Sequence, residues 1–195
     1  MARPRNFDED TVVVAARNRF WDGGYAATSV DDLTAATGLG KGSLYGAFGD
    51  KHALFVRALD GYCVESMDRV ETQLRRPGVS AYDRLAGHVR AIVADVVADS
   101  ERRGCMIAKS SAEFGAADAD VDRVVAESLT RWHGYLVECI AECQRDGTVR
   151  ADADPEVLAT TLLGLMRGFE ALRTGGTEPA QIEAAGEQAL ALVAR

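Results

Sequence analysis

The chain has 195 residues and a formal net charge of −8. That length can bury a substantial core as one large domain or two small ones, and the acidic balance argues against a protein that coats nucleic acid nonspecifically. Hydrophobic residues make up 47% of the chain and prolines number four, so a helical globular protein is expected, and with no apolar run near the roughly 20 residues of a membrane span, and no apolar signal core in MARPRNFDED, a cytoplasmic one.

The first seven residues, MARPRNF, read as a basic arm carrying Arg3 and Arg5. A helix should begin at Asp8, because Asp8, Glu9 and Asp10 suit the positive end of a helix dipole. Val12, Val13, Ala16 and Phe20 give it an apolar face, and Gly23-Gly24 ends it. Arg19 falls on this helix with its stem free to lie along the surface. Thr28 or Ser29 can cap the next helix, with Asp32 three residues beyond Ser29 as in a capping box. Val30, Leu33, Ala36 and Leu39 share its apolar face, Gly38 closes it, and Leu44 and Phe48 anchor a further helix of about two turns. Two short helices joined by a glycine turn make a helix-turn-helix, whose second helix enters the major groove of DNA.

The segment RFWDGGYAATSVDDLTAATGLGKGSLYGAFGDKHALF closely resembles the N-terminal domain of the TetR family of bacterial transcriptional regulators. The resemblance rests on Phe20, Gly24-Tyr25, Thr28-Ser29-Val30, Asp32-Leu33, Thr37-Gly38-Leu39, Lys41-Gly42-Ser43-Leu44-Tyr45, Phe48, Lys51 and Leu54-Phe55. It implies that Lys41, Gly42, Ser43 and Tyr45 face the groove or its phosphates, and that Thr28 and Lys51 grip backbone phosphates, which fix position without carrying sequence information. Residues 1–52 hold six Lys or Arg against seven Asp or Glu. Of these six cations, Arg3, Arg5, Lys41 and Lys51 are the expected phosphate contacts, supplemented by hydroxyls and backbone N–H groups. Direct base readout through Gly46 and Ala47 is limited, which leaves thymine methyls and DNA shape.

Asp50 should cap a fourth helix from Lys51 to about Arg75, closed by Pro77-Gly78. Its first turn belongs to the helix-turn-helix unit and the remainder to a second unit. A fifth helix is expected over Ser80 to Arg103, a short sixth over Cys105 to Phe114 and a seventh over Asp118 to Arg145. Pro155 and Pro179 open the eighth and ninth, since proline costs nothing in a first turn. Beyond about residue 60 the resemblance thins, although GCMIAKSSAEFG and the order of helices look like one large, AcrR-like branch of the family. It implies a ligand cavity, for which helix faces nominate Cys63, Met67, Ile92, Val96, Cys105, Met106, Ser110, Phe114, Trp132 and Phe169, a lining suited to a mostly apolar effector. The last two helices are apolar over more than a narrow stripe, and the resemblance implies that they pair with a second copy in a four-helix bundle.

The expectation is thus an all-α protein of about nine helices. A three-helix DNA-binding unit (residues 1–52) precedes a ligand-binding and dimerisation unit (53–195). The implied function is a homodimeric, effector-responsive repressor bound to a palindromic double-stranded DNA operator, with no cofactor, no metal and no membrane partner. Cys63, Cys105, Cys139 and Cys143 form no C-x-x-C pair; Cys139 and Cys143 share a helix face and need a third ligand to hold a metal. Two other readings compete: redox sensing through the Cys105 thiol, and a small helical enzyme using Cys105 as nucleophile or His133 with Glu138 as an acid–base pair.

Overall fold

The computed structural model describes residues 7–195; Arg3 and Arg5 lie outside the described residues. These residues form α1 (Glu9–Gly23), α2 (Val30–Thr37), α3 (Lys41–Phe48), α4 (Lys51–Leu74), α5 (Ala81–Ala98), α6 (Met106–Phe114), α7 (Ala119–Arg145), α8 (Pro155–Thr174) and α9 (Pro179–Val193), with a single 3₁₀ turn at Gly115–Ala117. The helix starts follow the capping chemistry. Asp8, Asp50, Ser80, Asp118 and Asp154 each accept a backbone N–H of the first turn. Ser29 and Asp32 close a complete capping box at the head of α2, in which each side chain accepts the other's backbone N–H. Gly38 ends α2 at φ 70°, a conformation that glycine adopts without steric cost.

One helix is shorter than its pattern suggests. α5 stops at Ala98 rather than Arg103. Asp99 leaves the helix and its carboxylate accepts the N–H of Gly104 at 2.8 Å. Arg102 takes a positive φ of 55°. Asp and Ser compete with helix by bonding nearby backbone groups, and the turn they build here becomes one rim of the cavity described below.

Two apolar clusters organise the packing. The first joins Val12, Ala16 and Phe20 of α1 with Leu33, Leu44 and Phe48, then runs through Leu54, Phe55 and Leu59 of α4 to Cys105, Met106 and Ile107 and to Val121, Val124 and Val125 of α7. The second gathers Met67, Val70 and Leu74 of α4 with the inner faces of α5, the later half of α7, α8 and α9. α4 and α7 therefore run through both, and α4 continues from the helix-turn-helix into the rest of the chain. Arg19 of α1 reaches Asp32 of α2 at 3.1 Å and staples the two helices. α9 lies so close on α5 that a Cβ at Gly186 would come within 2.6 Å of Val93 Cγ2. Among the described residues no helix is long and apolar enough to cross a membrane.

Candidate nucleic-acid interface and ligand cavity

The interface is built from α2, its glycine turn and α3. Leu33, Leu44 and Phe48 are buried and fix the two helices on α1 and α4. That leaves Lys41, Gly42 and Ser43 exposed on the first turn of α3, with Tyr45 partly exposed beside them. The Lys41 ammonium lies 6.0 Å from the Tyr45 ring centroid, so the two side chains share one edge of the helix. A Cβ built on Gly42 would meet nothing within 4 Å among the described residues. Packing among the described residues therefore does not require this glycine.

The other residues nominated for contact are placed differently. The Lys51 ammonium, on the first turn of α4, sits 4.2 Å over the Tyr25 ring. Thr28, nominated for a phosphate, is fully buried and donates its hydroxyl to the Gly24 carbonyl at 2.6 Å. Its side chain closes the loop between α1 and α2 instead, and the exposed hydroxyl at this point belongs to its neighbour Ser29. Arg17, Arg19 and Arg57 are tied to Glu65, Asp32 and Glu9. Asp32 receives bonds from Ser29 and Arg19, which hold its carboxyl down at about 2.

A cavity of about 480 Å³ opens between the end of α1, α4, α5, the Ala98–Cys105 turn, α7 and α8. That volume is in the range of small-molecule sites. Of the residues nominated from helix faces, Ile92, Val96, Cys105 and Trp132 line it. Cys63, Met67, Met106, Ser110 and Phe169 are buried but do not. Cys63, Met67, Met106 and Phe169 are turned into the two apolar clusters instead, and Ser110 is a buried polar residue outside both. Phe114 does not line it either; its ring packs at 5.0 Å on Tyr25 and 5.2 Å on Phe55. The lining is also more polar than the apolar nominations implied. It includes Ser66, Arg69, Gln73, Asp95, Asp99, Glu101, Arg103, Arg167, Glu170 and Arg173, beside Trp21 and Tyr62. Arg167 and Glu170 follow each other around α8 in a stretch read for its leucines, and nothing in the pattern of that helix set the polar stripe apart from a solvated one.

The polar groups at the cavity are strongly constrained. Arg167 binds Glu170 at 2.8 Å and lies 4.5 Å over the Trp132 ring. Burial, reinforced by Asp99 and opposed by Arg167, raises the Glu170 carboxyl to about 7. Trp132 donates its indole N–H to His88 Nε2 at 2.9 Å, and His88 Nδ1 lies 2.6 Å from the Gln73 side-chain oxygen. Burial, with Arg167 nearby, drops His88 to about 4 and keeps it neutral. Cys105 is buried, and burial pushes its thiol up. The thiolate that redox sensing needs is thus disfavoured. Cys63 is raised to about 11 for the same reason. His133 faces Glu156 and Thr160 while Glu138 binds Arg75, so the acid–base pair considered above does not form. The three-ligand cluster found among the described residues is His52, Asp118 and Asp120, and it includes neither Cys139 nor Cys143.

The helix that supports the interface reaches the cavity at Trp21. This last-turn residue of α1 lines the cavity, and its indole N–H donates to the Gly104 carbonyl at 2.8 Å. Arg103 stacks on its ring at 4.3 Å and reaches Asp22 at 3.2 Å, and the Lys109 ammonium donates to its carbonyl at 2.8 Å. At the far end of α6, Glu113 accepts the N–H groups of Tyr25 and Ala26 at 2.9 and 2.6 Å. His52 Nε2 lies 2.6 Å from Asp118, the residue that caps α7. α6 is thus held to the cavity rim at its start and to the α1–α2 loop at its end.

Comparison with known proteins covers both halves of the chain. Residues 12–58 match the family described as "Bacterial regulatory proteins, tetR family", and residues 81–186 match "Tetracyclin repressor-like, C-terminal domain". The chain is 28% identical over 149 residues to the HTH-type transcriptional repressor DhaR of Mycobacterium sp. (strain GP1), covering 76% of this chain and 73% of that one. It is 28% identical over 167 residues to the HTH-type transcriptional repressor ComR of Escherichia coli (strain K12), covering 86% and 80%. Among solved structures, a cysteine-substituted CifR, a TetR family transcriptional regulator complexed with 26-bp double-strand operator DNA, superposes with a TM-score of 0.80 at 29% identity, over 98% of this chain and 100% of that one.

Proposed function

The chain belongs to the TetR family of bacterial regulatory proteins, and on that premise we propose that it is a cytoplasmic, homodimeric repressor which leaves a palindromic double-stranded operator when a small effector fills the cavity. The observation that carries the reading is the first turn of α3, where Lys41, Gly42 and Ser43 stand exposed beside Tyr45 on a helix anchored from behind by Leu44 and Phe48. Gly42 lets the backbone approach the groove, Lys41 and Lys51 supply charge, and Tyr45 offers its hydroxyl to a phosphate. Few other cations are at hand, so shape and deformability contribute to operator choice. The reading head is assigned to residues 1–52, and effector binding with dimerisation to residues 53–195.

Two such heads must stand about one DNA turn apart, roughly 34–36 Å. The exposed apolar side chains of α8 and α9, Val157, Leu172 and Leu192, support pairing of these helices across a twofold axis. An effector can shift the head only by binding one head arrangement better than the other. Trp21 is the contact that makes this direct, because it belongs to α1 and also forms cavity wall. An effector that moves Arg103 from the Trp21 ring, or draws the Gly104 carbonyl from its indole, changes the seat of α1 and, through Glu113, of the loop into α2.

The test is a gel shift on DNA flanking the gene, with a salt titration. A sequence preference that persists as salt rises, and weakens on Tyr45→Ala with helicity and dimer unchanged, is the expected result. Absence of any sequence preference at modest salt sinks the regulator reading.

A further inference from the structure

We propose that the effector is a compact organic anion, an amphipathic carboxylate, whose charged end binds Arg167 and the Gln73 amide and whose body lies along Ile92, Val96 and Trp132. This rests on the cavity being an effector site and names the class of molecule it takes. The argument starts from His88. Because Trp132 donates to His88 Nε2, that nitrogen is the acceptor and Nδ1 carries the proton. Nδ1–H therefore donates to Gln73, which must present its oxygen to His88. The Gln73 NH₂ group is left as a fixed donor on the cavity wall.

Arg167 stands at the same end, stacked on the Trp132 ring that His88 holds in place. Stacking leaves the edge of the guanidinium as its binding surface, and planar bidentate capture of a carboxylate is what that edge does best. Four arginines and four carboxylates border the cavity. Arg173 has no ion-pair partner among the described residues, and its Nε is buried without an acceptor. Among the described residues Glu170 supplies the one carboxylate paired with Arg167, and its second oxygen is buried without a partner. The resident counter-charge is therefore poorly solvated, and an incoming carboxylate can replace it.

Displacement changes the protonation of Glu170. The groups facing it are Arg167 on its own helix, Asp99 from the turn after α5, Tyr62 of α4 and Cys105 before α6. Arg167 alone among these favours the carboxylate. Once a ligand takes Arg167, Glu170 takes up a proton from solvent and the charge at the site is conserved. Binding of an anion is thus coupled to proton uptake, and its affinity falls as pH rises above about 7. An organic cation bound to ionised Glu170 would show the opposite slope.

The experiment uses the whole protein and three matched series, straight-chain carboxylates, amines and alcohols of four to eight carbons, titrated by calorimetry at several pH values. Carboxylates are expected to bind, more tightly by about tenfold at pH 6 than at pH 8.5, since a one-proton coupling allows up to tenfold per unit. Glu170→Gln should remove the pH dependence while keeping carboxylate affinity at or above the wild-type value. Gln73→Glu keeps the acceptor for His88 but adds a negative charge, and should weaken carboxylates about tenfold or more without loss of folding. Preference for amines, loss of carboxylate binding in Glu170→Gln, or no binding by any carboxylate in the series each overturns the proposal. Operator binding by the effector-free protein is measured separately, so failure of the regulator reading is distinguishable from failure of the ligand class.

Discussion

Trp132 donates its indole N–H to Nε2 of His88 across 2.9 Å, and both side chains are buried. The bond settles the tautomer of the histidine, turns the Gln73 amide, and places a neutral imidazole where a charge would face Arg167. It joins α4, α5 and α7 at one wall of the cavity.

His88 gives the fold an acid-sensitive stability term. Its folded value is lowered to about 4 from an ordinary 6.5, so the unfolded chain takes the proton first. The stabilisation is complete above about pH 6.5 and is lost as pH falls toward 4, by about 3 kcal/mol at most. His88→Gln should abolish this slope at a cost of about 1–2 kcal/mol at pH 7. Chemical denaturation at fixed protein concentration, from pH 4 to 8, reads both.

Glu170 acts in the opposite sense over an overlapping window. Its folded value is raised to about 7 from 4.5, so stability declines as pH rises through that interval, by about 1–3 kcal/mol. The two slopes partly cancel between pH 4.5 and 6.5. Glu170→Gln should therefore steepen the rise of stability with pH across that range, and His88→Gln should turn it into a decline. Parallel curves for the two variants would contradict the assignment.

Glu113 closes the contact between α6 and the α1–α2 loop by accepting two backbone N–H groups. Glu113→Ala should raise the hydrogen-exchange rates of the Tyr25 and Ala26 amides by about five- to tenfold, the equivalent of one lost hydrogen bond of about 1 kcal/mol. Exchange in the core of α5 should be unaffected.

Gly186 packs against Val93 with no room for a methyl group. Gly186→Ala should cost about 1–3 kcal/mol by forcing α9 from α5, despite the better helix propensity of alanine. Adding Val93→Ala should recover part of that loss, because it removes the atom that Cβ would strike. Denaturation midpoints of the two single variants and the double variant give the coupling energy.

Val157 and Leu172 of α8 and Leu192 of α9 are more than half exposed, at 60%, 52% and 57%. If they lie between two copies, Val157→Glu with Leu172→Glu should give a monomer by light scattering with helicity retained. The same variant should lose cooperative operator binding, and a persistent dimer would move the interface elsewhere.

The reading head was legible because its determinants are local. A capping box, a glycine at positive φ and apolar residues three or four apart lie within about one turn of the positions they control, and their order from Phe20 to Phe55 matched a known head. Helix starts at Ser29, Asp50 and Asp118 were fixed the same way, by side chains that satisfy the first N–H groups of their own helix, while Pro155 fits a first turn because it has no N–H to satisfy. The Asp99 turn was not, because its break from α5 depends on a bond to Gly104 and on a positive φ at Arg102.

The amino-acid sequence by itself determined the helices and the surface that α3 presents, since periodicity and capping act within one element. Tertiary structure alone decided the cavity. Whether Met67 or Gln73 of one helix faces it depends on how α4 rotates against α5 and α7, and the polar stripe of α8 gains meaning only where Trp132 and Tyr62 close around it. Thr28 shows the same rule at the head: its hydroxyl was available to a phosphate until the α1–α2 loop folded over it and supplied the Gly24 carbonyl.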